Sequence, residues 1–227
     1  MAPILQLDSI SKRFGAVVVA DGLDLSVPQG QALGVIGPNG AGKTSLFGMI
    51  TGTLPQDGGR VLFRGDDLSG LSPAARCRRG IARSFQVPQP FGGMSVFGNL
   101  GADCADILER CGLADQANRP AGALTLLQRK RLELARALAT QPQLLLLDEV
   151  AGGLTEEECH ALVGLVRDVK ESGVTIVWIE HIVHALVAVV DRLVVLHGGA
   201  FIADGDPREV IRRPQVMEIY MGIPADA

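Results

Sequence analysis

Hydrophobic positions along the chain switch repeatedly between two spacings. Ile4-Leu5-Gln6-Leu7 and the stretch Val17 to Val27 alternate apolar with polar residues. That period-2 pattern predicts half-buried strands, with Asp21-Gly22 as a turn between two short ones. Gln31 to Ile36, Leu144 to Leu147 and Val174 to Ile179 are short, almost wholly apolar runs, as expected of strands covered on both faces. Arg60 to Phe63 and Ile81 to Phe85 read as further strands, and Arg192 to Leu196 with Ala200 to Ala203 as a last pair around Gly198-Gly199. Helical spacing lies between them. One helix runs from Gly42 through Leu46, Phe47 and Ile50 to Gly52, and a second from Thr125 to Ala139 with Leu132, Ala135 and Leu138 on one face. A third covers Glu156 to Glu171, with Thr155 as N-cap and acidic residues in its first turn. From 87 to 124 the pattern breaks at Pro88, Pro90, Gly92, Gly93 and Pro120, with Ala105 to Cys111 helical. Apolar strands alternating with helices predict an α/β fold with a mostly parallel sheet. An antiparallel β region precedes it, and a small helical lobe (about 86–139) is inserted into a core of about 1–85 and 140–227.

Composition narrows the class. The 227 residues suit one domain, and 47% hydrophobic with 20% charged residues argues against disorder. Aromatics make up only 4% while glycines number 28, which fits many tight turns rather than an all-β chain. A net charge of -4 advertises no basic face, so nucleic acid is not an expected partner. The local basic runs (Arg76, Arg78, Arg79, Arg83; then Arg129, Lys130, Arg131) read as solvated helix faces. Cys77, Cys104, Cys111 and Cys159 form no CxxC pair and have no histidine at ligand spacing, which predicts neither a disulfide framework nor a zinc site. The segment Met1 to Asp8 lacks the basic and apolar regions of a secretory signal. Apolar runs such as Leu186 to Val190 fall far short of the roughly 20 residues that span a bilayer. A membrane role is therefore expected to come through a partner.

The candidate chemistry begins at Gly37-Pro38-Asn39-Gly40-Ala41-Gly42-Lys43-Thr44, an unbroken GxxxxGK[ST]. It follows an apolar strand and opens a helix, the context in which such a loop cradles phosphates. Its glycines let backbone N–H groups turn inward, and the helix N-terminus adds its positive dipole end. Lys43 is expected to reach the β- and γ-phosphates of ATP, and the Thr44 hydroxyl to ligate Mg²⁺. Ser45 extends the same turn. The run Leu144 to Leu147 delivers Asp148 and Glu149 at a strand end, as in a Walker B motif. Asp148 is expected to hold Mg²⁺ and Glu149 to orient the attacking water, since phosphoryl transfer is catalysed mostly by positioning and charge stabilisation.

With these residues in view, the chain resembles the ATP-binding subunits of ABC transporters over nearly its whole length. The resemblance implies that Gln86, in Ile81-Ala82-Arg83-Ser84-Phe85-Gln86, is the glutamine that meets Mg²⁺ and water. It makes His181, in Trp178-Ile179-Glu180-His181, the histidine that contacts the γ-phosphate, and Phe14 the aromatic that stacks on adenine. Thr125 and Gln128, in Leu124-Thr125-Leu126-Leu127-Gln128, stand in the signature segment that closes over the ATP of a second subunit. Within the family, Arg129 to Thr140, Asp148 to Thr155, Ile179-Glu180-His181, and the ending Gly205 to Val210 with Tyr220-Met221-Gly222 resemble branched-chain amino-acid importers. That implies a dimer of ATP-binding subunits on the cytoplasmic face of a cell membrane. Permease subunits would be its direct partners and an external substrate-binding protein an indirect one.

Departures from the pattern set further expectations. Leu126 and Leu127 replace signature glycines, whose absence holds backbone away from a partner's nucleotide. Thr155 stands where an aspartate is usual, and Val150 where a proline is. The segment from Gln86 to Leu124 is shorter than in most relatives. Two other readings use the same motifs: a soluble non-transport ABC ATPase, and a weakly hydrolysing subunit paired with an active one.

Overall fold

The structure, a computed structural model, describes residues 3–101 and 104–221. Met1 and Ala2 of the N-terminal segment, and Gly222 of the C-terminal resemblance, lie outside the described residues.

In chain order the elements are β1 (Pro3–Phe14), β2 (Val17–Pro28), β3 (Ala32–Ile36), α1 (Lys43–Thr51), β4 (Gly58–Phe63), β5 (Asp66–Asp67), α2 (Pro73–Arg78) and β6 (Ile81–Arg83). They continue with α3 (Ala105–Arg110), α4 (Leu126–Leu138), β7 (Leu144–Asp148), α5 (Glu156–Glu171), β8 (Thr175–Ile179), α6 (Val183–Val187), β9 (Arg192–His197), β10 (Ala200–Gly205), α7 (Pro207–Val210) and α8 (Pro214–Met221). One sheet has the order β2-β1-β4-β5 and is antiparallel throughout. The other has the order β10-β9-β3-β8-β7-β6, parallel except for the edge strand β10.

Strand geometry sends alternate side chains to opposite faces, and the core divides accordingly. Leu33, Val35, Leu144, Leu146, Val177 and Ile179 face the antiparallel sheet and the Leu46, Phe47 and Ile50 side of α1. Leu145, Leu147, Ile176 and Trp178 face α4, α5 and the lobe instead. Both faces are covered, which is why these strands are apolar throughout. The lobe residues Val96, Leu108, Leu113 and Leu124 belong to this second cluster.

Two expectations are corrected. Asp21-Gly22 does not divide two strands. The reversal falls at Gly15-Ala16, where Phe14 pairs with Val17, and Gly22 sits inside β2 at φ 64°. A two-residue hairpin loop tolerates positive φ at Gly15, and it leaves Phe14 at the tip. The basic runs are also not simply solvated. Arg76 is buried and donates to the carbonyls of Met49 (2.7 Å) and Ile50 (3.0 Å), satisfying the C-terminal end of α1. Arg83 and Lys130 likewise turn inward, toward the groups described next.

Candidate functional site

Sequence dictates the phosphate-loop geometry closely. Between β3 and α1 the chain must turn within a few residues while passing under β9 and beside β2. A Cβ on Gly37 would lie 2.2 Å from the Leu196 carbonyl oxygen. Gly42 has φ 100°, and a Cβ there would lie 2.4 Å from the Val19 carbonyl oxygen. Only glycine fits both positions. Gly42 is also the N-cap of α1 and offers no side-chain cap, so the first N–H groups of that helix are left for a ligand.

The loop opens on a cleft of about 310 Å³ lined by Phe14, Val19, Asn39, Gly40, Ala41, Gly42, Lys43, Thr44, Ser45 and Glu149. Lys43 is 6% exposed, and its ammonium donates to the carbonyls of Gly37 (2.6 Å) and Pro38 (3.1 Å). Burial pushes it below the ordinary lysine range, against the opposing pull of Glu149 and Asp148. A buried cation beside an uncapped helix start suits a polyanion such as a nucleotide phosphate chain. Phe14 keeps its ring half exposed at the rim, with the Lys12 ammonium 5.5 Å from its centroid.

At the far wall, β7 ends in Asp148, and Glu149 follows in the left-handed region at φ 46°. The Glu149 N–H donates to Ile179 O (2.9 Å) at the end of β8, which aims the carboxylate into the cleft. Gln86 Nε2 donates to Glu149 Oε2 at 2.5 Å, and His181 Nδ1 lies 3.8 Å from the same oxygen. Asp148 is paired with Arg83, Nη2 to Oδ2 at 2.5 Å. The hydroxyl, amide and carboxylate oxygens of Thr44, Gln86 and Asp148 are hard donors of the kind that suit Mg²⁺. Among the described residues no group of three His, Cys, Asp or Glu could hold a metal ion alone. Mg²⁺ in nucleotide sites is held by few protein oxygens together with phosphates.

Thr125 and Gln128 are not among the lining residues of this cleft. They close a capping box on α4: Thr125 Oγ1 accepts from Gln128 N (3.3 Å), and Gln128 Oε1 from Thr125 N (3.0 Å). Thr155 and Glu158 do the same for α5. The two signature leucines differ. Leu126 is exposed, while Leu127, one helical step on, packs against the core cluster. Only Leu126 is thus presented outward. Leu127→Gly should cost about 1–2 kcal/mol through lost burial and helix propensity. Urea denaturation reads this, and an unchanged midpoint would contradict the packing.

Sequence reasoning missed Val19 in the cleft, Arg83 on Asp148, and two further charges. Glu180 is fully buried, and Lys130 is buried with its Nζ 3.4 Å from the Glu149 carbonyl oxygen. For Lys130 the signal was helix phase: it lies four residues before Leu134 and seven before Ala137, both of them buried.

The ABC transporter family model matches residues 20–152. The high-affinity branched-chain amino acid transport ATP-binding protein BraF of Pseudomonas aeruginosa is 33% identical, over 97% of this chain and 98% of its own. The chain belongs to the ABC transporter family. A probable branched-chain amino acid transport ATP-binding protein, LivG of Methanocaldococcus jannaschii, is 34% identical over 96% of this chain and 97% of its own length. The fold is that of an ABC ATP-binding cassette: the crystal structure of such a cassette in its ADP conformation superposes with a TM-score of 0.91 and 33% identity, covering 98% of this chain and 100% of that one. The BraF alignment runs over 250 residues while this ABC chain supplies 97% of its 227, so that relative carries residues with no counterpart here.

Proposed function

We propose that this chain hydrolyses ATP to drive an importer, taking up branched-chain or other amino acids. The observation that carries the reading is Glu149 lining the same cleft as the Gly37 to Thr44 loop, with Gln86 and His181 beside its carboxylate. In this reading the loop N–H groups and Lys43 hold the phosphates, Phe14 stacks on the base, and Glu149 orients and polarises the attacking water. His181 faces the γ-phosphate. Thr44, Asp148 and Gln86 would hold Mg²⁺, which would supply neutralisation of the phosphate charge. Two ATP-binding subunits close on each other, each offering Thr125 and Gln128 to its partner's nucleotide.

The importer assignment rests on the relatives' names and on one surface. Phe85, Val87, Phe91, Met94 and Phe97 are all exposed, and Phe85 lines a groove of about 400 Å³ shared by Ile81 to Arg83 on one side and Glu133, Arg136 and Ala137 of α4 on the other. Exposed large apolar side chains gathered in one segment mark a candidate contact surface, and they suit an integral-membrane permease at the cytoplasmic face. Among the described residues no helix is long and apolar enough to cross a membrane itself. We read the chain as one domain, with a core of about 1–85 and 140–227 and a lobe of about 86–139. The length missing relative to BraF fits that lobe, whose only α-helix among the described residues between Gln86 and Thr125 is the six-residue α3.

Lys43→Ala tests the reading. Losing a charge-assisted contact worth about 1.5–3 kcal/mol should weaken ATP affinity roughly 10- to 100-fold by calorimetry. Unchanged affinity would contradict the phosphate-loop role.

A further inference from the structure

Among the described residues Glu180 is the charged side chain most fully removed from solvent, at 0% exposure. A carboxylate at that depth is costly unless its oxygens are met. Here both are met by the two loops that carry the proposed chemistry. Oε2 accepts the Ala151 N–H at 3.0 Å, in the turn that follows Glu149. Oε1 accepts the His181 N–H at 3.1 Å and lies 3.3 Å from His181 Nδ1. One side chain therefore ties the end of β7 to the end of β8 and sits against the imidazole.

Lys130 completes the arrangement from the helix side. It is 5% exposed on α4, and its ammonium donates to the Glu149 carbonyl oxygen (3.4 Å), which also accepts the Gly152 N–H (3.3 Å). Glu149 is held in a left-handed conformation that a non-glycine residue keeps only under constraint. Lys130 supplies part of that constraint. Burial lowers its proton affinity, and the nearby charges of Glu180 and Glu149 oppose that effect.

We propose that Glu180 is a positioning residue for ATP hydrolysis, acting through His181 and the turn after Glu149, and that Lys130 of α4 braces the same turn through the Glu149 carbonyl. The proposal rests on the ATPase reading given above. The same lysine links α4, whose N-cap is Thr125, to the Glu149 backbone.

The test is steady-state ATPase kinetics with calorimetry and thermal melting on the full chain, for the parent, Glu149→Gln, Glu180→Gln, Lys130→Met and Lys130→Arg. Glutamine keeps one acceptor where two N–H groups need one each. Glu180→Gln should therefore lower kcat about 10- to 100-fold, the usual scale for outer groups that orient working ligands, with the ATP KM and affinity unchanged. Lys130→Met should do the same, and Lys130→Arg should restore most of the turnover. In a His181→Ala background, Glu180→Gln should cost far less than alone, because its effect runs largely through that ring. Parental kcat in Glu180→Gln overturns the proposal. So does a fall in ATP affinity and melting temperature that tracks the lost activity, or failure of both Glu180→Gln and Lys130→Met to fold, since each assigns these residues to structure alone. A parent that hydrolyses ATP, with Glu149→Gln inactive, keeps the ATPase reading intact in those cases. A parent that does not hydrolyse ATP overturns both.

Discussion

Glu149→Gln is expected to bind ATP as the parent does and to lose about 10²- to 10⁴-fold in turnover, the usual contribution of a positioned general base. The geometry makes this substitution unusually clean. The Glu149 backbone is set by its N–H on Ile179 O and by Lys130 on its carbonyl, and neither contact involves the side chain. Glutamine has the same shape, and its amide oxygen can still accept from Gln86 Nε2, which now donates to Glu149 Oε2. What disappears is the charge that, in the proposed mechanism, polarises water and takes its proton. Phosphate release in a single turnover, together with calorimetric ATP affinity, separates the two effects. Turnover near the parental rate would remove Glu149 from the chemistry and shift attention to His181, 3.8 Å away.

Much of this site was legible along the chain because its parts are local. Glycines at Gly37 and Gly42 are demanded by carbonyl oxygens of β9 and β2, and the strand-loop-helix pattern around them announces the turn. The capping box from Thr155 to Glu158 marks the start of α5 correctly, and the acidic first turn agrees with it. Short elements were less visible. The six-residue α2 carries too little periodicity to register, although Ser72 followed by Pro73 is a sound start signal and Ser72 Oγ does accept the Ala75 N–H. Asp21-Gly22 has the composition of a turn, but it forms only an irregularity within β2, which pairs with β1 on either side of it, at Ala20 and Leu23. Buried charges were the least legible. Charge runs are read as solvated by default, and nothing local says that Arg83 meets a carboxylate 65 positions away, or that Lys130 lies over the backbone of Glu149.

Arg83→Met should destabilise the protein by about 3–5 kcal/mol, the cost of stripping one partner from a buried ion pair. The side chains of Arg83 and Asp148 are only 12% and 7% exposed, and they meet at 2.5 Å. The guanidinium is also flanked by aromatic faces, 5.5 Å from the Phe47 centroid and 5.2 Å from that of Phe85. Methionine can fill much of the stem's volume between those rings, so the loss should come chiefly from the unpaired Asp148 carboxylate rather than from a cavity. Against a total stability of about 5–15 kcal/mol for a domain, a loss of that size is readily seen as a lower urea midpoint. The control is the double variant. With Asp148→Asn added, neither member of the pair is left charged, and most of the stability should return, because removing both members of such a pair is often close to neutral. If the single variant loses less than about 1 kcal/mol, as exposed pairs do, the contact is not a buried pair in solution. If the double variant is no better than the single, the guanidinium contributes through Phe47 and Phe85 instead. Either result would also bear on magnesium. The Arg83 contact at 2.5 Å fixes the Asp148 carboxylate at the end of β7, which is where the proposed Mg²⁺ role would use it.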